Sequence, residues 1–224
     1  MPRLQGLIFD LDGTLIDSAP DLRHALNTTM TSLGRRELSL DEVQSMIGDG
    51  GFSLLARAFA ATGAPVSDKE TYGHFQTFLA HYRGLTPDQS QIYPLGREVL
   101  ETFSRANVTL GICTNKQEAA TRYLLAGLDL ARYFGFVAGG DTFPVHKPHP
   151  DHVRGVIEGL SVPLENCVMV GDGPNDVLAA QSAGIPCIVV THGYGGFDNF
   201  GGDHVIEGFH ELADALRTLG YEFD

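Results

Sequence analysis

The sequence predicts an α/β protein: a doubly wound parallel sheet with an inserted helical domain. Two patterns lead there. Through the second half, short continuous apolar runs alternate with helical stretches, as in strands buried on both faces by the helices between them. Between residues 18 and about 85, helical patterns follow one another with no convincing strand, so a block of helices separates the first apolar run from the rest. A chain of 224 residues is long enough for one large domain or for a core with a smaller one.

Taken in order, Leu4 to Asp10 reads as the first strand, ended by Gly13. Ser18-Ala-Pro-Asp21 reads as a helix start with a capping box, and Leu22, Leu26, Met30 and Leu33 keep helical spacing. Further helical patterns cover 40–47, 52–62 and 68–83, and IYPLG at 92–96 marks the return to the sheet. After a helix at 96–106 come the strand VTLGIC, a helix from about 117 and a short strand near FGFVAG. A helix at 149–160, the strand NCVMVG, a helix at 174–184, the strand PCIVV and a last helix at 208–219 complete the chain. The expected division is a core of residues 1–16 and 86–224 and a helical domain of 17–85. The Gly-rich stretch 193–202 either borders the pocket or is slack linker, and linker is the favoured reading.

Composition narrows the function. With 28 acids against 15 Lys and Arg, the formal charge of −13 argues against a nucleic-acid or anionic-membrane surface. Any anionic substrate then has to be drawn in by local features. The three Cys lie in apolar runs without close spacing, as expected of buried thiols in a reducing compartment. No apolar stretch reaches membrane-spanning length and MPRLQG lacks a signal-peptide core, so the expectation is a cytoplasmic protein.

Four stretches fall where predicted strands end or soon after: Asp10-Leu-Asp12-Gly-Thr14, Thr114-Asn115-Lys116, Lys147-Pro-His-Pro150 and Gly171-Asp172-Gly-Pro-Asn-Asp176. In open parallel sheets the ligand crevice lies beyond the carboxyl ends of the strands, so distant side chains can converge there. Each stretch alone has a plainer reading. Asp10 and Asp12 could be turn-forming acids, Thr114-Asn115 a helix cap, Lys147 a solvated loop lysine, and Asp176 a first-turn acid set against the helix dipole. An EF-hand is excluded, because Leu15 stands where the calcium loop needs Gly.

Together, carboxylates from two strand ends form a hard oxygen site of the kind that binds Mg²⁺. Lys147 and the donors around Thr114 suit a phosphoryl group, whose transfer needs positioning and charge neutralisation. Asp10 is assigned as nucleophile. Asp12 then has to protonate the leaving alkoxide and later take a proton from water, so it must be protonated when substrate arrives.

These four stretches resemble, in order, the motifs of the haloacid dehalogenase superfamily of phosphohydrolases, over residues 7 to about 192. The resemblance implies a Rossmann-like core with a helical cap and assigns Asp10 as nucleophile and Asp12 as acid and base. It also makes Thr114, Asn115 and Lys147 phosphate-binding and implies Mg²⁺ held by Asp10, Asp172 and the Asp12 backbone carbonyl, with Asp176 behind them or joined to the metal through water. Asp12 separates the chain from the true dehalogenases, which resemble it in fold but lack an acid there.

Within the superfamily, FDLDGTLIDSAPDL, IGDGGFSLLARAF, LGICTNK, HKPHP and VGDGPNDVLAAQSAGI are similar to bacterial phosphoglycolate phosphatases. That similarity implies hydrolysis of a small phosphorylated metabolite, 2-phosphoglycolate, to glycolate and phosphate. Gly48, Asp49, Gly50 and Gly51 of the helical domain could bring backbone N–H groups to a small carboxylate, or could simply start a helix. Arg57, one turn on, is either an anion partner or a solvated side chain. Gly173-Pro174, where many relatives have Ser and a varied residue, and Val145-His146 before Lys147 depart from the common pattern without removing a reactive group.

Three other readings stand beside this one. A phosphosugar mutase would use the same two Asp, and a phosphatase for another small ester or a nucleotide would differ only in its leaving group. A receiver-like signalling module also groups acids, a Thr and a Lys, but it is short and has no helical insertion.

Overall fold

In the computed structural model, which describes residues 2–85, 88–195 and 200–223, the apolar runs are the strands of one sheet. The strands are β1 (Gly6–Phe9), β2 (Ile16–Asp17), β3 (Gln91–Ile92), β4 (Thr109–Cys113), β5 (Phe134–Ala138), β6 (Cys167–Gly171), β7 (Cys187–Val190) and β8 (His204–Ile206). The helices are α1 (Ala19–Ser32), α2 (Leu40–Gln44), α3 (Gly50–Thr62), α4 (Asp68–Leu85), α5 (Gly96–Arg105), α6 (Glu118–Gly127), α7 (Pro150–Leu160), α8 (Pro174–Ala183) and α9 (Leu212–Thr218).

Six strands pair in the order β5-β4-β1-β6-β7-β8, every pair parallel. β1 is central, and the order reverses on either side of it. The period of two in a strand sorts side chains to the two faces. Leu7, Phe9, Val168 and Val170 join one core with Leu100, Leu124 and Leu216 of α5, α6 and α9. Ile8, Cys167 and Met169 join the other, with Val156 of α7 and Val177 of α8. The free thiols Cys113, Cys167 and Cys187 are all buried in strands. Among the described residues no helix is long and apolar enough to cross a membrane.

Helices α1 to α4 close around their own cluster, which includes Leu26, Met30, Leu55, Phe59 and Phe78 and takes in Ala120 of α6. The Arg35 guanidinium donates to the carbonyls of Phe59 and Ala64 at 2.6 and 3.0 Å, capping the end of α3 that lies beside α1. The chain enters and leaves this block through β2 and β3, an antiparallel ribbon of two short strands. That ribbon is absent from the sequence reading because two residues per strand are too few for a periodicity. The expected boundary at 85/86 falls partly on residues 86–87, outside the described residues.

Three local expectations need correction. Ser18 does precede α1, but the capping box does not form: its hydroxyl goes to Asp12 and caps no backbone group. Asp21, read as that box's acid, is buried and accepts from Gln89 N, Ser90 N and the Ser90 hydroxyl at 3.0, 3.0 and 2.6 Å. It therefore fastens the returning chain to the departing one. α2 is shorter than expected, and the capping box lies there instead, with Glu42 N donating to Ser39 Oγ and Ser39 N to Glu42 Oε2.

Substituting Asp21→Ala should lower the unfolding free energy by about 3 kcal/mol, because two backbone N–H groups and a hydroxyl lose a charged acceptor in a buried place. An acid serving only the helix dipole would cost about 0.5 kcal/mol. Urea denaturation of the two proteins separates the cases.

Candidate active site

Parallel strands end on one edge, and the reactive groups stand there. Asp10 directly follows β1, Thr114 follows β4 and Asp172 follows β6, while Lys147 lies on the segment from β5 to α7. Asp176 sits in the first turn of α8, after Pro174, where its carboxylate reaches back over the strand end. Its Oδ2 accepts from the N–H groups of Asp172 and Gly173 at 3.2 and 3.1 Å.

Lys147 connects these carboxylates. Its Nζ is 2.9 Å from Asp10 Oδ1 and 2.6 Å from Asp176 Oδ1, and the side chain is 1% exposed. The solvated-lysine reading is thereby excluded. Two flanking carboxylates overcome the burial that would otherwise favour the neutral amine, and the Lys147 pKa is raised. Asp10, Asp172 and Asp176 each offer an oxygen within 4.8 Å of the others. Burial pushes the Asp10 carboxyl up to about 6 against the pull of Lys147. Burial, then the charges of Asp176 and Asp10, pushes Asp172 up to about 7. Such a cluster is short of positive charge.

Its donor set fits a hard divalent cation. Asp176 has both oxygens engaged, by Lys147 and by two backbone N–H groups. Asp172 takes one hydrogen bond at Oδ1 from Thr14 Oγ1 (2.9 Å), and its Oδ2 accepts from Tyr194 N (2.8 Å). A carboxylate oxygen has two lone pairs, so each of the three acids keeps an acceptor position that a cation could take.

Asp12 faces a different partner. Its carboxylate lies 3.0 and 3.1 Å from Lys116 Nζ and accepts a short hydrogen bond from the Ser18 hydroxyl. The question of how two acids sit so close in sequence thus has an answer in side chains: each has its own buried lysine. Lys116 also places its Nζ 4.5 Å from the centroid of the Tyr82 ring in α4, joining the strand edge to the helical block.

Asn115 and the loop before α3 form a second junction. Asn115 Nδ2 donates to Gly48 O at 3.0 Å and to Lys147 O at 2.9 Å. Asn175 Nδ2 donates to Asp49 Oδ1 at 2.7 Å. Gly50 has φ +82°, and a Cβ there would come within 2.8 Å of Asn115 O, so conformation and space both demand glycine. Gly48, Gly50 and Gly51 line the cavity beside Asp10, but Asp49 and Arg57 bind each other. Arg57 also donates to Met46 O at 2.7 Å, so its charge is met inside the helical block.

Two adjoining cavities share Asp10, Asp12, Ile47 and Gly48. One of about 310 Å³ is lined by Lys147, Asp172, Asp176, Asp49 and Tyr194. The other, about 50 Å³, is walled by Leu22, Leu54, Phe78, Leu79, Tyr82 and Lys116.

The Gly-rich stretch is not the expected linker where it is described. Gly193 and Gly195 press on the site: a Cβ on Gly193 would lie 2.3 Å from Gly13 O, and one on Gly195 2.0 Å from Asp172 O. Between them, Tyr194 binds Asp172 through its N–H. Its hydroxyl donates to Asp17 (2.8 Å) and accepts from the N–H groups of Ser18 and Ala19, both at 2.9 Å. Residues 196–199 of the stretch lie outside the described residues. Four side chains that contact the site escaped the sequence reading: Lys116, Ser18, Asn175 and Tyr194. Lys116 was detectable as the third member of Thr114-Asn115-Lys116; Tyr194 carried no signal beyond the glycines around it.

Comparison with known proteins agrees with this geometry. A family described as haloacid dehalogenase-like hydrolase matches residues 7–190. A phosphoglycolate phosphatase of Agrobacterium fabrum is 39% identical over 211 residues, spanning 93% of this chain and 91% of that protein. Among solved structures, a predicted phosphoglycolate phosphatase from Haemophilus somnus superposes with a TM-score of 0.88 at 26% identity, covering 96% of this chain and 98% of the other. CbbY from Rhodobacter sphaeroides, in complex with phosphate, gives 0.79 at 26% identity, covering 93% and 96%.

Beneath the site, His152 is fully buried, with Nδ1 accepting from Lys147 N at 3.1 Å and Nε2 donating to Gly139 O at 3.1 Å. Burial, then the charge of Lys147, pushes its pKa down to about 4. The folded value lies below the unfolded one, so the stability it contributes is present above pH of about 6.5 and lost as pH falls toward about 4. The loss amounts to at most about 3 kcal/mol. Urea unfolding across that window should show a shallower pH dependence for His152→Asn than for the wild type.

Proposed function

Since the chain belongs to the haloacid dehalogenase-like hydrolase family and is a phosphatase of that family, we propose that it is a Mg²⁺-dependent phosphatase of 2-phosphoglycolate, acting through a phosphorylated Asp10. The observation that carries this reading is the meeting of Asp10 after β1, Lys147 before α7, and Asp172 and Asp176 after β6, with three carboxylates close enough to share a cation. Asp10, Asp172 and the Asp12 carbonyl would hold Mg²⁺, with Asp176 orienting Lys147 and the loop around Asp172. When bound, the cation supplies neutralisation of the phosphoryl oxygens and of the acids around them.

Asp10 attacks phosphorus, and the bond from phosphorus to the ester oxygen breaks. Lys147 and the groups at Thr114 and Asn115 hold the phosphoryl oxygens in line. Asp12, two residues on, is paired with Lys116 as a carboxylate before substrate binds, so it has to take up a proton as substrate enters, and it gives that proton to the departing alkoxide. It then takes one from the water that attacks the aspartyl-phosphate, which frees phosphate and regenerates Asp10. Helices α1 to α4, residues 17–85, act as a cap that closes the leaving-group side, with Gly48 to Gly51 and Arg57 at its edge. The relatives bearing the phosphoglycolate phosphatase name support that choice of ester over a phosphosugar.

A panel of small phosphate esters compared by kcat/KM, with Mg²⁺, tests the reading: 2-phosphoglycolate should lead, and free phosphate should accumulate without an isomerised phosphosugar. Asp10→Asn should abolish turnover, by at least about 10³-fold, with an unchanged thermal melt. Chelation of divalent cations should stop the wild type and readdition of Mg²⁺ restore it; activity persisting in chelator would refute the metal.

A further inference from the structure

We propose that Lys116 anchors a carboxylate carried one carbon from the ester oxygen of the substrate, an inference that rests on the hydrolase reading above. Lys116 is 8% exposed, and its Nζ lies against Asp12 on one side and the Tyr82 ring on the other, within the small cavity that also contains Asp10. Among the described residues, three cations line the two cavities. Arg57 is held by Asp49 and by a main-chain carbonyl, and Lys147 by Asp10 and Asp176. The carboxylate partner of Lys116 is the residue that has to serve the leaving oxygen.

Geometry then fixes the kind of substrate. A proton donor works within about 3 Å of the atom it protonates. Lys116 Nζ lies 3.0 and 3.1 Å from the oxygens of that donor, so whatever is attached to the leaving oxygen falls beside the ammonium. An anionic group separated from the ester oxygen by a single carbon meets it. Leu22, Leu54, Phe78 and Leu79 form the apolar part of this cavity, which Thr114, Asn115 and Gln117 also line. That apolar part accepts a methylene, and any phosphosugar hydroxyl set against it lacks a partner, which is costly. The structure thus selects small 2-phosphooxy acids. On binding, the substrate carboxylate takes one N–H of Lys116 while one oxygen of Asp12 keeps another and the second turns to the ester oxygen. Lys116 keeps a counter-charge throughout.

The test compares 2-phosphoglycolate with ethyl phosphate, in which a methyl replaces the carboxylate. Any effect of Lys116 that is common to both esters through Asp12 cancels in the ratio of their kcat/KM values. Lys116→Met should lower that ratio by on the order of 10- to 100-fold, mainly by weakening the binding of the carboxylate-bearing ester and so raising its Michaelis constant. A ratio within about threefold of the wild type overturns the anchor. Lys116→Gln gives the same reading should the Met variant not fold. In the wild type itself, 3-phosphooxypropionate, whose carboxylate lies one carbon farther out, should be used at least about tenfold less well than 2-phosphoglycolate; equal use overturns the anchor. A wild type that prefers a phosphosugar overturns the phosphoglycolate reading and the anchor together. A preference for 2-phosphoglycolate that survives loss of Lys116 overturns the anchor alone.

Discussion

An ammonium sealed between two carboxylates, Lys147 with Asp10 and Asp176, is the contact on which the site is organised. Removing a charge from water is expensive, and only close opposite charges with further hydrogen bonds offset it. The sheet order supplies these conditions. β1 carries Asp10 at the centre, and β6 beside it leads through Asp172 into α8 and Asp176. Lys147, on the segment from β5 to α7, reaches Asp10 and Asp176 with its ammonium. Without that lysine, three acids would face one another with no compensating charge of the protein's own among them.

The same solution recurs one step outward with Asp12 and Lys116, and the two pairs divide the site. On the proposed mechanism, the inner pair serves the end where phosphorus is handled, among strand ends and backbone donors. The outer pair faces Tyr82 and the helices α1 to α4, where on the same mechanism the rest of the substrate would enter. Asp12 sits at the border and has contacts on both sides, through Ser18 at the start of α1 and through Lys116 at the start of α6.

Much of this was readable in the residues alone. Strands buried on both faces announce themselves as apolar runs, and the acids and lysine that follow them are fixed to one edge by parallel topology, so Asp10, Lys147, Asp172 and Asp176 group together on sequence grounds. What escaped was set by contacts distant in sequence. Asp21 looked like a capping acid because its partners, Gln89 and Ser90, lie 68 and 69 residues on. Arg57 has the look of an available anion partner, yet Asp49 and Met46 hold it. The ribbon of β2 and β3 has no periodicity to read, and Tyr194 sits among glycines that suggest slackness where the backbone is in fact wedged against Asp172.

That wedge bears on how such a chain can change over time. At Gly193 and Gly195 even a methyl group would collide with main-chain oxygen. The loop after β7 and the turn after β1 therefore interlock without side-chain freedom, and inherited variation there is barred whatever ester is being processed. Latitude lies across the cleft, in Leu22, Leu54 and Phe78, whose exchange reshapes the cavity wall without disturbing the carboxylates. Descendants of this chain can acquire new leaving groups by repacking helices while the machinery at the strand ends stays as it is.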